Sequence, residues 1–280
     1  MLEDNKQLKF WLEEFDSFQI TGKDAKRFLN GITTTNINLD YECFKTCWLT
    51  PTGNLRAILE IHKDSKGLLI IVIQGNVEEL KKYCEDMIFP SDDIAMSNIS
   101  RVFRLQEANN SNSWRKVNVN IFNKKNLNSF ISGKQFKIMD FEELTEWKIF
   151  QGLPIKNKEI DGKNNPIELG LTDLIDFNKG CYLGQETMAR LKKVSSLQQE
   201  LRLWTSLQII NQNVVHNSKI FLNTDKNIVV GKITSFQNHN FRNITGLAMM
   251  KKSYLKGYDS FFVEDVGEIK TMKSISSIFF

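Results

Sequence analysis

One thiol, two glycines, an amide, a carboxylate and a guanidinium crowd into twelve residues of this chain, Lys179-Gly180-Cys181-Tyr182-Leu183-Gly184-Gln185-Glu186-Thr187-Met188-Ala189-Arg190. Cys181 is the side chain in this run suited to covalent or redox chemistry. A helix beginning near Gly184 would set free backbone amides and the positive end of a dipole close to the sulfur. Lys179 and Arg190 would add field of the same sign, and each effect favours the thiolate. Gly180 and Gly184 permit a sharp turn or a close approach of the backbone to a bound molecule. Glu186 and Arg190, four residues apart, are spaced to pair on one helix face. A second reading stands beside this one: a glycine-rich turn that wedges Cys181 into a core, with Tyr182 and Leu183 packed around it, as buried free cysteines commonly are.

Other chemistry is thinly supplied. His62, His216 and His239 are scattered and sit in no nucleophile–base motif, so they are expected at the surface or in packing. Neither glycine-rich signature of a dinucleotide or phosphate loop occurs. Cys43, Cys47, Cys84 and Cys181 do not follow a secreted disulfide pattern. With three histidines in the chain, no bound metal is expected. Cys43 and Cys47, separated by three residues, have a spacing that could suit a metal, but they read first as two small buried residues beside Trp48.

The chain has 280 residues, 41% of them hydrophobic and 25% charged, enough for a large core divided among two or three domains. Its formal charge of +4 permits anionic ligands or nucleic acid without demonstrating either. The opening Met-Leu-Glu-Asp-Asn-Lys lacks a signal-type apolar run, and Leu68 to Ile73 is too short to span a bilayer. A reduced, cytoplasmic compartment and no membrane contact are expected.

The elements that must position Cys181 are legible in part. Residues 1 to 50 open on a mixed polar and aromatic segment. Thr21 then reads as the N-cap of a short helix whose apolar side is Ala25, Phe28 and Leu29, closed by Thr33-Thr34-Thr35. Thr50-Pro51-Thr52-Gly53-Asn54 is a turn. Leu55 to Ile61 and Leu68 to Ile73 form a hairpin, and residues 76 to 88 form a helix on Val77, Leu80 and Cys84. Strands follow at Val102 to Leu105, Lys116 to Phe122 and Phe136 to Met139, with a loop over Asn109 to Ser113. A helix runs from Phe141 to Phe150 and ends at Gly152-Leu153-Pro154. After a compositional shift at Ser195-Ser196, short apolar runs at Leu201 to Leu207, Val214 to Leu222, Ile228 to Phe236, Ile244 to Met250 and Phe261 to Val266 suggest a small barrel or sandwich.

The pattern Lys-Gly-Cys-Tyr-x-Gly-Gln-Glu-Thr-x-Ala-Arg resembles the diagnostic motif of the YgfZ family of folate-binding proteins. These are similar to the T-protein of the glycine cleavage system, a tetrahydrofolate-dependent aminomethyltransferase. Weaker features extend the resemblance over positions 22 to 190. They are Gly22-x-Asp24-Ala25-x-x-Phe28-Leu29 with Gly31 and Thr33, the Thr50-Pro51-Thr52-Gly53 turn, Gly152-Leu153-Pro154, and Asn165-Pro166-x-Glu168-Leu169-Gly170-Leu171 before Asp176-Phe177. The resemblance implies an α+β, three-domain T-protein-like fold around a central cavity. Its discontinuous first domain would take residues 1–50 and 142–195, its ferredoxin-like (split βαβ) middle domain 51–141, and its C-terminal β-barrel 196–280. It also implies a folate-binding accessory protein that supports assembly or repair of iron–sulfur enzymes, with Cys181 as the reactive residue and those enzymes as partners. In some members it implies a link to tRNA modification. The implied ligand is tetrahydrofolate or a derivative, with Glu168, Lys179, Gly180, Tyr182, Gln185, Glu186 and Arg190 as its contacts. Lys192 and Lys193 add positive charge for the glutamate tail. For Glu168 a cap or a surface salt bridge is an alternative role.

A tetrahydrofolate-dependent one-carbon transferase and a non-catalytic tRNA-modification or protein-binding module are the other readings. Aminomethyl transfer requires a carboxylate in the strand after the Gly53 turn, facing the folate nitrogen. Arg56 and Ala57 occupy that neighbourhood, and neither has carboxylate function. The next acidic residue is Glu60.

Overall fold

The computed structural model describes residues 8–108, 113–115, 119–132, 137–193, 197–206, 216–239, 243–264 and 266–274. Two compact units divide it. The first takes Met1–Leu49, Arg56–Leu144 and Leu174–Leu183; the second takes Thr50–Leu55, Thr145–Asp173 and Gly184–Phe280.

The first unit begins with β1 (Lys9–Thr21), α1 (Ala25–Ile32), β2 (Cys43–Leu49), β3 (Leu55–Asp64), β4 (Gly67–Gln74) and α2 (Val77–Met87). It continues with β5 (Ala95–Met96), β6 (Ser100–Glu107), β7 (Val119–Phe122), α3 (Lys124–Ile131), β8 (Lys137–Ile138) and the start of α4 (Phe141–Phe150). The sheet order is β2-β3-β4-β1-β6-β7, with β5 and β8 also paired to β1. The neighbours of β1 are antiparallel except β8, which is parallel. Alternation along a strand sends residues i and i+2 to one face. Phe18 and Ile20 of β1, Leu59 and Ile61 of β3 and Ile70 of β4 pack with Ala25 and Leu29 of α1 and Val77, Leu80 and Cys84 of α2. Asn76 caps α2 by accepting the Glu79 amide at 3.1 Å, and Glu78 and Glu79 sit where the helix dipole favours anions.

The hairpin, α2 and α4 lie where periodicity and turn residues put them. One element is added to the expectations and one expectation is corrected. The mixed opening segment is β1, a thirteen-residue strand flanked on both sides. Thr21 is no N-cap: it ends β1, paired with Ala95, so its backbone is committed to the sheet and Asp24 takes the N-cap position without a side-chain cap. The expected loop at 109–112, the start of the 116–122 strand, Phe136, Ser195-Ser196, Leu207 and Val214 lie outside the described residues.

The second unit carries the end of α4, α5 (Gln185–Lys193), β9 (Gln199–Ser206), β10 (Lys219–Leu222), β11 (Asp225–His239), β12 (Asn243–Lys251), β13 (Ser260–Val263) and β14 (Gly267–Met272). These strands close into a barrel in the order β10-β11-β12-β9-β14-β13, so the C-terminal barrel is present and β14 is an addition to the expected runs. Closure leaves no free sheet edge. Trp204, Ile220, Val230, Ile233, Phe261 and Ile269 fill its interior, and the Trp204 indole donates to the Leu247 carbonyl at 3.3 Å. Among the described residues no helix is long and apolar enough to cross a membrane.

Candidate functional site

A helix leaves its last carbonyls without intrahelical partners, and α1 shows what the signature segment is for locally. Thr33 returns its amide (3.1 Å) and its hydroxyl (2.7 Å) to the Leu29 carbonyl. The Lys179 ammonium donates to the carbonyls of Asn30 (2.7 Å), Thr33 (2.7 Å) and Thr35 (2.9 Å). The Leu183 amide donates to the Gly31 carbonyl at 3.0 Å. A buried cation and a backbone amide from residues 179–183 thus cap the C-terminus of α1, where positive charge is favoured. The Thr-rich stretch is tied in from the same side. The Thr34 and Thr35 hydroxyls both donate to the Leu174 carbonyl (2.6 and 3.0 Å), and the Asp176 amide donates to the Thr34 carbonyl at 2.9 Å.

Within that pinned segment Cys181 is exposed, while Cys43 is half-buried and Cys47 and Cys84 are buried. The wedged-thiol reading fails at this point: Lys179 and Tyr182, on either side, go inward instead. Burial pulls the Lys179 ammonium down to about 8, against the attraction of Asp176. Its Nζ lies 5.2 Å from the Tyr182 ring centroid. Burial, followed by Cys47 and Asp176, pushes the Tyr182 phenol up to about 12. That hydroxyl is buried without a hydrogen-bond partner among the described residues. Such an orphan is unusual in a folded interior.

The remaining signature residues belong to the second unit. Gly184 adopts φ +82°, a left-handed conformation in which a side chain is strained, and α5 starts at the next residue. Gly180 has no such constraint: a Cβ placed on it meets nothing within 4 Å. Gly184→Ala should therefore cost about 1–2 kcal/mol, and Gly180→Ala almost nothing, as thermal unfolding of the two variants will measure. The Thr50–Leu55 turn packs on α5, because a Cβ on Gly53 would stand 2.8 Å from the Thr187 Cβ and 3.0 Å from the Met188 Cε. Glu186, Ala189, Arg190 and Lys193 line a shallow groove along α5. Among the described residues Glu186 and Arg190 form no ion pair, contrary to what their spacing suggests; both are exposed. Gln185 is half-buried.

Glu168 is buried inside a capping box. Its own amide donates to Asn165 Oδ1 at 3.0 Å and its Oε2 accepts the Asn165 amide at 3.3 Å, with Pro166 at the first position of the turn. Burial raises its carboxyl pKa, against hydrogen bonds from the Asn165 amide and Gln199.

A second polar centre escaped the sequence reading. On β3, Glu60 is fully buried, with Lys45 Nζ at 2.7 Å and Arg104 Nη2 at 3.0 Å from its Oε2. Arg104 Nε reaches both oxygens (3.2 and 3.1 Å), and His62 Nε2 lies 2.7 Å from Oε1. Arg104 also donates to Gln106 (2.6 Å) and lies 4.4 Å from the Trp11 ring centroid, yet its Nη1 has no partner among the described residues. Burial alone would push the Glu60 carboxyl up, but Lys45 and Arg104, with the His62 and Arg104 hydrogen bonds, hold it well below the usual carboxylate range. Burial pulls the Lys45 ammonium down against Glu60. Cys43 Sγ stands 3.6 Å from His62 Nε2. His62 is therefore part of a charged cluster rather than packing, and Cys43 is not simply a buried neighbour of Trp48. His216 directs Nδ1–H to the Thr234 carbonyl at 2.8 Å. The His239 side chain lies outside the described residues.

Arg56 pairs with Glu79 at 2.9 Å and stacks 5.1 Å from the Trp48 ring centroid. Ala57 is buried.

No protein-family model matches the chain. A tRNA-modifying protein YgfZ of Buchnera aphidicola from Schizaphis graminum is 29% identical over 243 residues, 72% of this chain and 75% of that one. Its counterpart in the Acyrthosiphon pisum strain is 26% identical over 230 residues, covering 64% and 67%. A chloroplastic Arabidopsis thaliana protein with a provisional transferase name is 26% identical over 246 residues; the match takes 71% of this chain but only 56% of that protein's length. Among solved structures, the glycine cleavage aminomethyltransferase T of Bartonella henselae superposes with a TM-score of 0.75 over 97% of this chain and 86% of its own, at 11% identity. An α+β sheet unit, a closed barrel and these likenesses converge: the chain is a homologue of the YgfZ proteins, built on the aminomethyltransferase fold.

Proposed function

We propose that this protein binds a reduced folate and acts in tRNA modification, with Cys181 as its reactive group. The observation that carries the reading is the contrast around Cys181. Lys179 and Tyr182 are buried to hold the segment, while the thiol itself is exposed. A buried ammonium with three carbonyl partners is an expensive way to fix a loop, and it makes sense where the loop presents a group that reacts. The tRNA-modifying names of the bacterial relatives favour that pathway over the iron–sulfur support that the motif alone suggests.

The residues present fit a pterin–glutamate ligand in their chemistry. Arg190 and Lys193 beside the α5 groove suit the carboxylates of a glutamate tail. Tyr182, in the first unit, remains a proposed contact whose hydroxyl has no hydrogen-bond partner among the described residues. Lys179 positions Cys181 through its three carbonyl partners, and Glu168, held in its capping box, remains a proposed contact. Gly180, Gln185 and Glu186 remain proposed contacts. One-carbon transfer is disfavoured, because Arg56 is committed to Glu79 and Glu60 is locked between two cations.

Two measurements test this. Calorimetric titration with tetrahydrofolate under reducing conditions should show saturable binding that weakens in Arg190→Ala; no heat of binding removes the ligand half. In a bacterium lacking its YgfZ protein, the wild-type chain should restore tRNA modification measured by mass spectrometry, and folded Cys181→Ser should not. Full restoration by Cys181→Ser removes the thiol half, and restoration of an iron–sulfur enzyme without any change in tRNA would move the function to that pathway.

A further inference from the structure

Three donor atoms of unlike chemistry meet on β2 and β3, away from the signature segment in sequence. Cys43 Sγ, Glu60 Oε1 and His62 Nε2 all lie within 4.8 Å of one another. The sulfur is 3.6 Å and the carboxylate oxygen 2.7 Å from the same ring nitrogen. That sharing separates two explanations. A thiol–imidazole–carboxylate relay sets the thiol on one nitrogen and the carboxylate on the other, so that the ring passes a proton between them. Here both face Nε2, so no relay is built. Donors that converge on one point are what a metal ion requires. We propose that Cys43, Glu60 and His62 form a binding site for a borderline-soft divalent cation of the zinc class, with water completing the coordination.

The geometry is close to that needed. Ligands about 2.3 Å (sulfur) and 2.0 Å (nitrogen) from a tetrahedral ion stand about 3.5 Å apart, near the 3.6 Å between Cys43 and His62. The Glu60–His62 contact must open from a hydrogen bond by roughly half an ångström. The lysine and the arginine divide the carboxylate in a useful way. Lys45 and Arg104 Nη2 both hold Oε2, and Arg104 Nε straddles the two oxygens, so Oε1 stays turned towards His62. Orienting a ligating carboxylate through hydrogen bonds to its other oxygen is the usual task of groups around a metal. Access exists, because β2 ends the sheet, Cys43 is half-buried, and the His62 side chain is 18% exposed.

The same two cations oppose an added positive charge, which argues for a borderline-soft ion held through a thiolate rather than for a hard cation held by oxygen alone. The Cys43 thiolate cancels one of the two charges of the ion, while Glu60 already faces Lys45 and Arg104. A cysteine ligates as its thiolate, so the ion must displace the Cys43 proton into solvent. One proton is released per ion, and affinity falls as pH falls. The bound ion would tie edge strand β2 to β3.

Cobalt(II) is the probe, titrated into the full chain carrying Cys181→Ser to remove the exposed thiol from competition. The expected result is a near-ultraviolet thiolate-to-cobalt band with visible ligand-field bands, saturating at one equivalent and displaced by zinc. Adding Cys43→Ser should abolish the near-ultraviolet band, and adding His62→Gln should weaken binding at least tenfold, with circular dichroism confirming the fold of each. No band in the parent, or an unchanged band in Cys43→Ser, overturns the site. If Cys43→Ser fails to fold, unchanged cobalt affinity in His62→Gln overturns it equally.

Discussion

Glu60→Gln should lower the stability of the first unit by about 3–5 kcal/mol, a loss typical of removing one member of a buried ion pair. The glutamine keeps the size and much of the hydrogen bonding, so the change isolates the charge. What it leaves is Lys45 and Arg104, both buried, with no anion between them. Urea unfolding followed by tryptophan fluorescence suits the measurement, because Trp11 lies against Arg104. Circular dichroism in parallel will reveal whether the two units unfold together. A loss below about 1 kcal/mol would mean the cluster is not the ionised network its distances describe.

The pH dependence has a definite sign. In the folded state the Glu60 carboxyl sits well below its usual value, because Lys45 and Arg104 outweigh the effect of burial. The folded state therefore binds that proton less readily than the unfolded chain. The stabilisation is complete above the ordinary carboxylate range and is lost as pH falls through the folded value. The gap between wild type and Glu60→Gln should be constant near neutrality and should close in acid.

Replacing Lys45, Glu60 and Arg104 together by methionine and leucine should restore most of the lost stability, since apolar substitutes for a buried ionic triad are often neutral or better. That outcome would mean the cluster is kept for something other than stability, which is what a metal site on Glu60 predicts.

The sequence showed α1, the β3–β4 hairpin, α2, α4 and the start of α5 because each is written locally, by periodicity and by turn residues. β1 was not visible, and its charges explain why. Glu13, Glu14 and Asp16 interrupt the apolar alternation of Lys9–Thr21, so it reads only as a mixed polar and aromatic segment. In the sheet Arg101 of β6 pairs with Glu14 (3.4 Å) and Asp16 (3.3 Å) of β1, so cross-strand pairing supports acidic residues that no single-strand pattern would place there. The charged cluster was hidden for the same reason: Glu60 and Arg104 are 44 residues apart. For Glu168 the spacing Asn165-x-x-Glu168 already spelled a capping box, and that is the role its hydrogen bonds serve. Lys179 invited a ligand role through its charge alone, since its carbonyl partner on Thr33 is 146 residues away.

That long-range contact makes Lys179→Met the other large expected effect, a loss of about 2–4 kcal/mol. Hydrogen bonds from a charged donor contribute about 1.5–3 kcal/mol each, and three are removed together. The ammonium's burial cost, which disappears with it, offsets part of the sum. Methionine matches the stem of lysine, so the packing against Tyr182 is largely kept. Hydrogen exchange should localise the damage: protection should fall at Thr33 and at Leu183, whose amides bond to the Leu29 and Gly31 carbonyls. Unchanged protection there would mean that water or a neighbour replaces Lys179 and that it pins nothing. A pH series adds a readout that lost packing would not produce. Burial sets the folded value near 8, below the ordinary lysine value. The penalty for the buried charge is therefore complete below pH 8 and fades as pH climbs towards about 10.4, the unfolded value. Wild type should gain on Lys179→Met across that window. A loop whose anchor is an ammonium held against its own desolvation is fixed at the cost of stability elsewhere, and the residue it fixes in the open is Cys181.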